Sequence, residues 1–137
     1  MCLQAGTRMT DPNPESYLSR IMNFEESIHR FDSLDFLCEM LFLFITKYKN
    51  INIDLDTLYA ETEENPRAFY ELIHKIKGVL QNFSFNEIQE SIININSKSK
   101  SNEKVSQIEL EKLKSDFNEL FAFLENFFEV FPELKPK

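Results

Sequence analysis

The chain has two histidines, and each follows a glutamate by three residues: Glu26 with His29, and Glu71 with His74. A carboxylate and an imidazole one helical turn apart can share a divalent metal when both project into one interior. On a helical wheel at about 100° per residue, His29 lies about 120° and Glu26 about 180° from the middle of the apolar face of their segment. His74 and Glu71 lie about 140° and about 160° from theirs. Both pairs therefore point to solvent, and neither a metal nor any other cofactor is expected. Arg67 and His74, seven residues apart, share one polar face with about 10.5 Å of axial separation.

The remaining reactive types point away from catalysis. Cys38 sits among Leu37, Met40 and Leu41, where a thiol behaves as a small hydrophobe with its pKa raised. Two cysteines, Cys2 and Cys38, are too few for a disulfide framework, which fits a reducing, cytoplasmic setting. There is no Gly-rich phosphate loop, no HExxH and no CxxC. The stretch from Ile51 to Pro66 stands out for its charge: it carries Asp54, Asp56, Glu61, Glu63 and Glu64 and no base, with Tyr59 among them. Such a surface suits a basic protein partner, because charge complementarity speeds association and selects the partner, and an aromatic residue can anchor it.

Two family resemblances follow from these spacings. Glu-x-x-His resembles the ligand motif of ferritin-like di-iron bundles, whose ligands point into the bundle centre, a direction the wheel denies here. Arg67 and His74 resemble the Arg-x4-6-His motif of HEPN-domain ribonucleases, all-α proteins of similar length that place this motif at a dimer cleft. That resemblance covers two residues of one helix, and it implies a phosphate-steadying role for Arg67 and a proton-handling role for His74. Ala68 stands where that family usually carries a polar residue, and the acidic stretch upstream repels RNA phosphates. A HEPN-like ribonuclease is therefore the alternative reading.

These side chains must be held by helices. Asn13-Pro14-Glu15 reads as a cap, a proline at the first helical position and an acid in the first turn. Tyr17, Ile21, Phe24, Ile28 and Phe31 then repeat by four and three, which predicts one helix from about Pro14 to Phe31. Asp32 or Ser33 caps a second helix, Leu34 to Tyr48. It is apolar almost all round, with Asp32, Asp35, Glu39 and Thr46 as its narrow wet stripe and Glu39 an exposed carboxylate. Ile51, Ile53 and Leu55 alternate with Asn52 and Asp54, predicting an extended, ordered loop, followed by a short helix from Thr57 to Glu64 capped by Asp56.

Asn65-Pro66 opens a helix to about Gln81, and Ser84 with Glu87 reads as a capping box for a helix from Phe85 to Ile95. The segment SKSKSNEK, residues 97–104, has no apolar residue and reads as a flexible internal linker. Ser106 with Glu109 is a second capping box, opening a helix to about Phe131, where Pro132 stops it. Six of the chain's 14 phenylalanines fall between Phe117 and Phe131. This helix is longer than its neighbours, so its apolar seam can overhang a simple bundle and is covered either by lengthwise packing across two neighbours or by a partner chain. Phe121, Phe123, Phe127, Phe128 and Phe131 are its candidate self-assembly residues.

The expectation is thus an all-α protein: residues 1–12 a flexible N-terminus, 13–131 one bundle of five to six helices with a long Phe-rich C-terminal helix, and 132–137 a tail. The segment Phe36 to Ile45 has ten residues interrupted by Glu39, short of the roughly 20 needed to cross a membrane. Met1 to Thr10 lacks the apolar core of an export signal. Net charge is -8, with 15 acids and 8 bases up to Asn96 and 8 acids and 7 bases beyond it. That balance argues against a sequence-independent grip on nucleic acid. The function expected is non-enzymatic protein binding, as a small acidic inhibitor, an antitoxin- or immunity-like protein, or a regulatory adaptor. Self-assembly, for example as a homodimer, is the companion reading.

Overall fold

A computed structural model describes residues 13–137; the expected flexible N-terminus and Cys2 lie outside the described residues. The described chain is mostly helical, with seven α-helices and no strand among the described residues, against the five to six expected. They are α1 (Pro14–Leu18), α2 (Phe24–Phe31), α3 (Leu34–Tyr48), α4 (Ile51–Ala60), α5 (Pro66–Asn82), α6 (Glu87–Lys100) and α7 (Gln107–Val130), followed by a 3-10 turn, Pro132–Leu134.

The first expected helix is two. Asn13 caps α1 by accepting from Ser16 N at 3.2 Å, but the helix ends at Leu18. Asn23 then starts α2, its side chain accepting from Glu26 N at 3.2 Å. Between them, Met22 pairs with Phe85 in an isolated antiparallel bridge. Asn23 N donates to Ser84 O and Asn86 N to Ile21 O, both at 2.9 Å. The break was invisible to the wheel for a physical reason. The interruption is about one helical turn long, so Tyr17, Ile21, Phe24 and Ile28 all still lean on the core.

The extended segment expected after Asn50 is helical instead. Ile51 and Leu55 are buried and Leu58 is packed against the core, a spacing of four and three along α4, while Ile53 is exposed. The period of two was produced by one solvent-facing isoleucine. Asp56 accordingly lies within α4, and residues 61–64 form turns, so the short helix expected from Thr57 to Glu64 is displaced towards the N-terminus. Asn65 caps α5 as read, accepting from Ala68 N at 3.3 Å.

Ser84 does not build its expected capping box. It adopts a positive φ of 55°, its hydroxyl donates to Glu26 Oε1 at 2.9 Å, and Asn86 heads α6 without a side-chain cap. Arg30 closes the same corner, donating to Asn82 O at 2.6 Å and Ser84 Oγ at 3.1 Å. The α5–α6 turn is thus held by α2, a tertiary clasp that outweighs the local cap.

Half of the expected linker is helix: α6 runs to Lys100, leaving residues 101–106 as the connection. Lys98 and Lys100 sit in the last turn of α6, where cations suit the free carbonyls. The second capping box forms in full, with Glu109 N donating to Ser106 Oγ at 3.1 Å and Ser106 N donating to Glu109 Oε1 at 2.9 Å.

α5, α6 and α7 pack in succession, α6 and α7 antiparallel, while α1, α3, α4 and the terminal turn lie against α7 and α2 against α3. Of the two outcomes expected for the long seam, this arrangement is the packing within the chain, and no overhang is left. Phe127, Phe128 and Phe131 are buried, Phe121 and Phe123 partly so. Tyr17 places its ring 4.9 Å from Phe123 and 5.8 Å from both Phe127 and Phe131. Phe42 meets Phe128 edge-on at 5.7 Å, and Phe44 lies 5.5 Å from Phe121. The seam of α7 is filled by its own chain. The four stripe residues Asp32, just ahead of α3, and Asp35, Glu39 and Thr46 within it are exposed, but the open face of α3 is wider than read and also shows Phe36 and Leu43.

Candidate functional site

Both histidines stand in solvent on separate helices, α2 and α5. Glu26 is occupied by Ser84 Oγ and, at 3.3 Å, by Asn23 Nδ2. Among the described residues, no three His, Cys, Asp or Glu side chains converge as metal ligands. Arg67 and His74 do share one exposed face of α5, but Glu71 lies between them and takes Arg67 Nε at 3.2 Å. Tyr70 stacks on His74 with ring centres 5.6 Å apart and planes 28° apart. A carboxylate placed there repels a phosphate and screens the Arg67 guanidinium that would hold one. Incubation of the purified protein with total RNA is accordingly expected to give no cleavage that depends on His74; fragments lost in His74→Ala would refute this.

Cys38 is buried in α3, and burial, with Asp35 adding to it, pushes its thiol up to about 12. It remains protonated at neutral pH and serves as core.

The acidic stretch resolves into two groups. Asp56 is engaged: Lys114 of α7 donates to both its oxygens at 2.8 and 2.9 Å and to Glu111 at 3.0 Å. Those bonds raise the Lys114 pKa, Asp56 first and Glu111 second. Tyr59 is engaged too, its hydroxyl donating to Val105 O at 2.6 Å and its ring 5.8 Å from Phe69. It is a half-buried wall rather than a free anchor. Asp54, Glu61, Glu63 and Glu64, by contrast, are exposed and have no cationic partner among the described residues.

Tyr59 and Glu63 also line an open cleft of about 240 Å3 between the α4–α5 turn and the α6–α7 connection. Phe69, Pro66 and Val105 give it an apolar lining, and Lys104 is its basic residue. The cleft depends on the chain crossing from α6 to α7 over Tyr59, a contact between segments 46 residues apart that no local pattern announces.

A second cleft, of about 170 Å3, lies where α6, α7 and the Met22–Phe85 bridge meet, with Arg20, Glu87, Asp116 and Glu119 among its polar residues. Asp116 is a buried carboxylate that accepts from Ser91 Oγ and Lys112 Nζ, both at 2.6 Å. The hydrogen bond to Asp116 raises the Lys112 pKa. Arg20 lies over the rings of Tyr17 and Phe123, 5.1 and 5.2 Å from their centres, a placement favoured by the negative ring faces. Held by Ser91 of α6 and Lys112 of α7, Asp116 acts as a strut between the two helices. The sequence concealed it, since an aspartate in an amphipathic helix reads as solvent-facing.

Comparison with known proteins brings no relative: no family model, curated protein or solved structure matches this chain.

Proposed function

We propose that this protein is a non-enzymatic binding module that receives a basic protein partner on the surface formed by the C-terminal half of α4, the turn that follows it and the adjoining cleft. An inhibitor, an antitoxin- or immunity-like protein, or a regulatory adaptor would all use such a surface. One observation carries the reading: Asp54, Glu61, Glu63 and Glu64 are exposed without a cation to answer them among the described residues, beside an apolar-lined recess. Carboxylates left free at a rim repel one another and contribute little to the fold, but they steer and select a partner of opposite charge. The recess beside Glu63 offers room for one side chain of that partner, with the rings of Tyr59 and Phe69 as walls.

The test is a comparison of two baits in the native extract, the wild-type protein and the variant Glu61→Lys/Glu63→Lys/Glu64→Lys. Among the described residues none of the three side chains makes a hydrogen bond or ion pair, so the variant is expected to keep its helical circular dichroism and thermal midpoint. Wild type should retain a basic protein whose capture falls at least about tenfold in the variant and weakens steeply with added salt. Equal capture by both baits, or no salt dependence, would remove the acidic surface from the account.

A further inference from the structure

Resting on the docking surface above, we propose that the cleft between the α4–α5 turn and the α6–α7 connection seats a guanidinium, the side-chain head of an arginine of the basic partner. Two carboxylates from different segments border it, Glu63 in the turn after α4 and Glu103 in the connection after α6. Both are exposed, and neither side chain has a hydrogen-bond or ion-pair partner among the described residues. Lys104 is the one base in the lining, so two acids stand against one base and the recess keeps a net charge of -1. Lys104 is itself exposed and pairs with neither acid. Charge complementarity therefore selects a cation.

Glu103 owes its place to the way α6 ends. Asn102 takes a positive φ of 58°, Glu103 N donates to Lys98 O at 2.8 Å, and Asn102 N donates to Ser99 O at 3.3 Å. These are the two bonds of a Schellman turn, whose left-handed position accepts asparagine. The turn leaves the carbonyl end of α6 beside the cleft, as α4 leaves its own at Ala60. Helix C-termini carry negative partial charge. The amide end nearby, that of α5, starts with Pro66, which has no N–H, and Asn65 accepts from Ala68 N at 3.3 Å. Backbone and carboxylates thus favour the same sign of ligand.

The shape of the cation follows from the ring it meets. Tyr59 is half-buried, its hydroxyl fixed on Val105 O at 2.6 Å, and its ring lies edge-on to Phe69 at 5.8 Å. The ring is therefore in place before anything binds. A guanidinium lies flat on such a ring and carries donors on more than one edge, enough to address carboxylates from two segments. An ammonium is a compact point charge and does less on both counts. The volume of about 240 Å3 has room for one such side chain.

The test titrates the whole chain, followed by amide NMR shifts, with three capped amino acids: N-acetyl-arginine methylamide, its lysine counterpart and its uncharged citrulline analogue. The arginine probe should shift amides between Thr62 and Phe69 and between Ser99 and Val105, with a Kd of about 1–10 mM. The lysine probe should bind at least about threefold more weakly, and citrulline should not saturate. Glu103→Gln, at an exposed side chain, should weaken the arginine probe at least about threefold, as should Tyr59→Leu, with circular dichroism as the control for folding. Used as bait, Glu103→Gln should also retain at least about threefold less of the basic partner than wild type. Unshifted cleft amides overturn the guanidinium assignment, as does equal binding of lysine or citrulline, or an affinity indifferent to Glu103→Gln. Capture that depends on Glu61, Glu63 and Glu64 but not on Glu103 sinks the cleft and leaves the acidic surface standing. Arginine binding in the cleft with no basic protein captured does the reverse.

Discussion

Replacing Phe127 by alanine is expected to destabilise the protein by about 3–5 kcal/mol, the range for emptying a fully buried aromatic site. Phe127 is 0% exposed and has the rings of Tyr17, Phe128 and Phe131 within 5.8 Å. Its removal leaves a cavity walled by side chains from α1 and α7 that cannot close without moving both helices. Against a total stability of about 5–15 kcal/mol for a domain, that loss is a large fraction. Urea unfolding monitored by circular dichroism gives the number, and Ile108→Ala, at an exposed position, should change it by no more than about 0.5 kcal/mol. The Phe127→Ala loss should also be the same at low and high protein concentration. A loss that shrinks on dilution would mean that Phe127 contacts another chain rather than its own core.

The second large effect is at Glu109. Its carboxylate is held down to about 2, first by the hydrogen bond from Lys98, then by the backbone N–H of Ser106 and by Asn94. One side chain therefore caps α7, ties α6 to it and answers a lysine. Glu109→Ala removes all three and is expected to cost about 2 kcal/mol at pH 7, after allowance for partial exposure.

The pH dependence has a definite sign. The folded-state pKa lies below the ordinary value of 4.5, so the unfolded chain takes up the proton first. The contribution is complete above about pH 5 and drains away as pH falls towards 2. Urea midpoints of wild type and Glu109→Ala should accordingly differ most at neutral pH and draw together as pH falls to about 2. An undiminished gap at low pH would show that the charge of Glu109 contributes nothing.

What could be read in advance divides along a physical line. Asn13-Pro14, Asn65-Pro66 and Ser106 with Glu109 succeed as helix starts because donor and acceptor are three residues apart and need no help from the rest of the fold. The long three-four spacing of α7 succeeds for the same reason. Ser84 fails because Glu26, 58 residues away, competes for its hydroxyl. Ile53 misleads because an exposed isoleucine is indistinguishable from a buried one until its neighbours are placed.

The candidate site shows the same division. That Glu61, Glu63 and Glu64 are wet follows from the sequence; that Asp56 is engaged by Lys114, and Tyr59 by Val105, follows only from how α4 lies against α7 and its leading strand of chain. The phenylalanines of α7 were recognised as one apolar face, but the covering elements, α1 and the terminal turn, are too short to declare themselves as partners.

The bridge between Met22 and Phe85 has a consequence for how the molecule opens. The amide protons of Asn23 and Asn86 lie at helix boundaries, where deuterium would ordinarily enter within seconds to minutes, yet each is donated to a carbonyl some 60 residues away in sequence. Neither can be released by fraying of a single helix. Their slow labelling, matched to each other and to core amides of α5, would therefore time the detachment of the N-terminal third from the remainder of the chain.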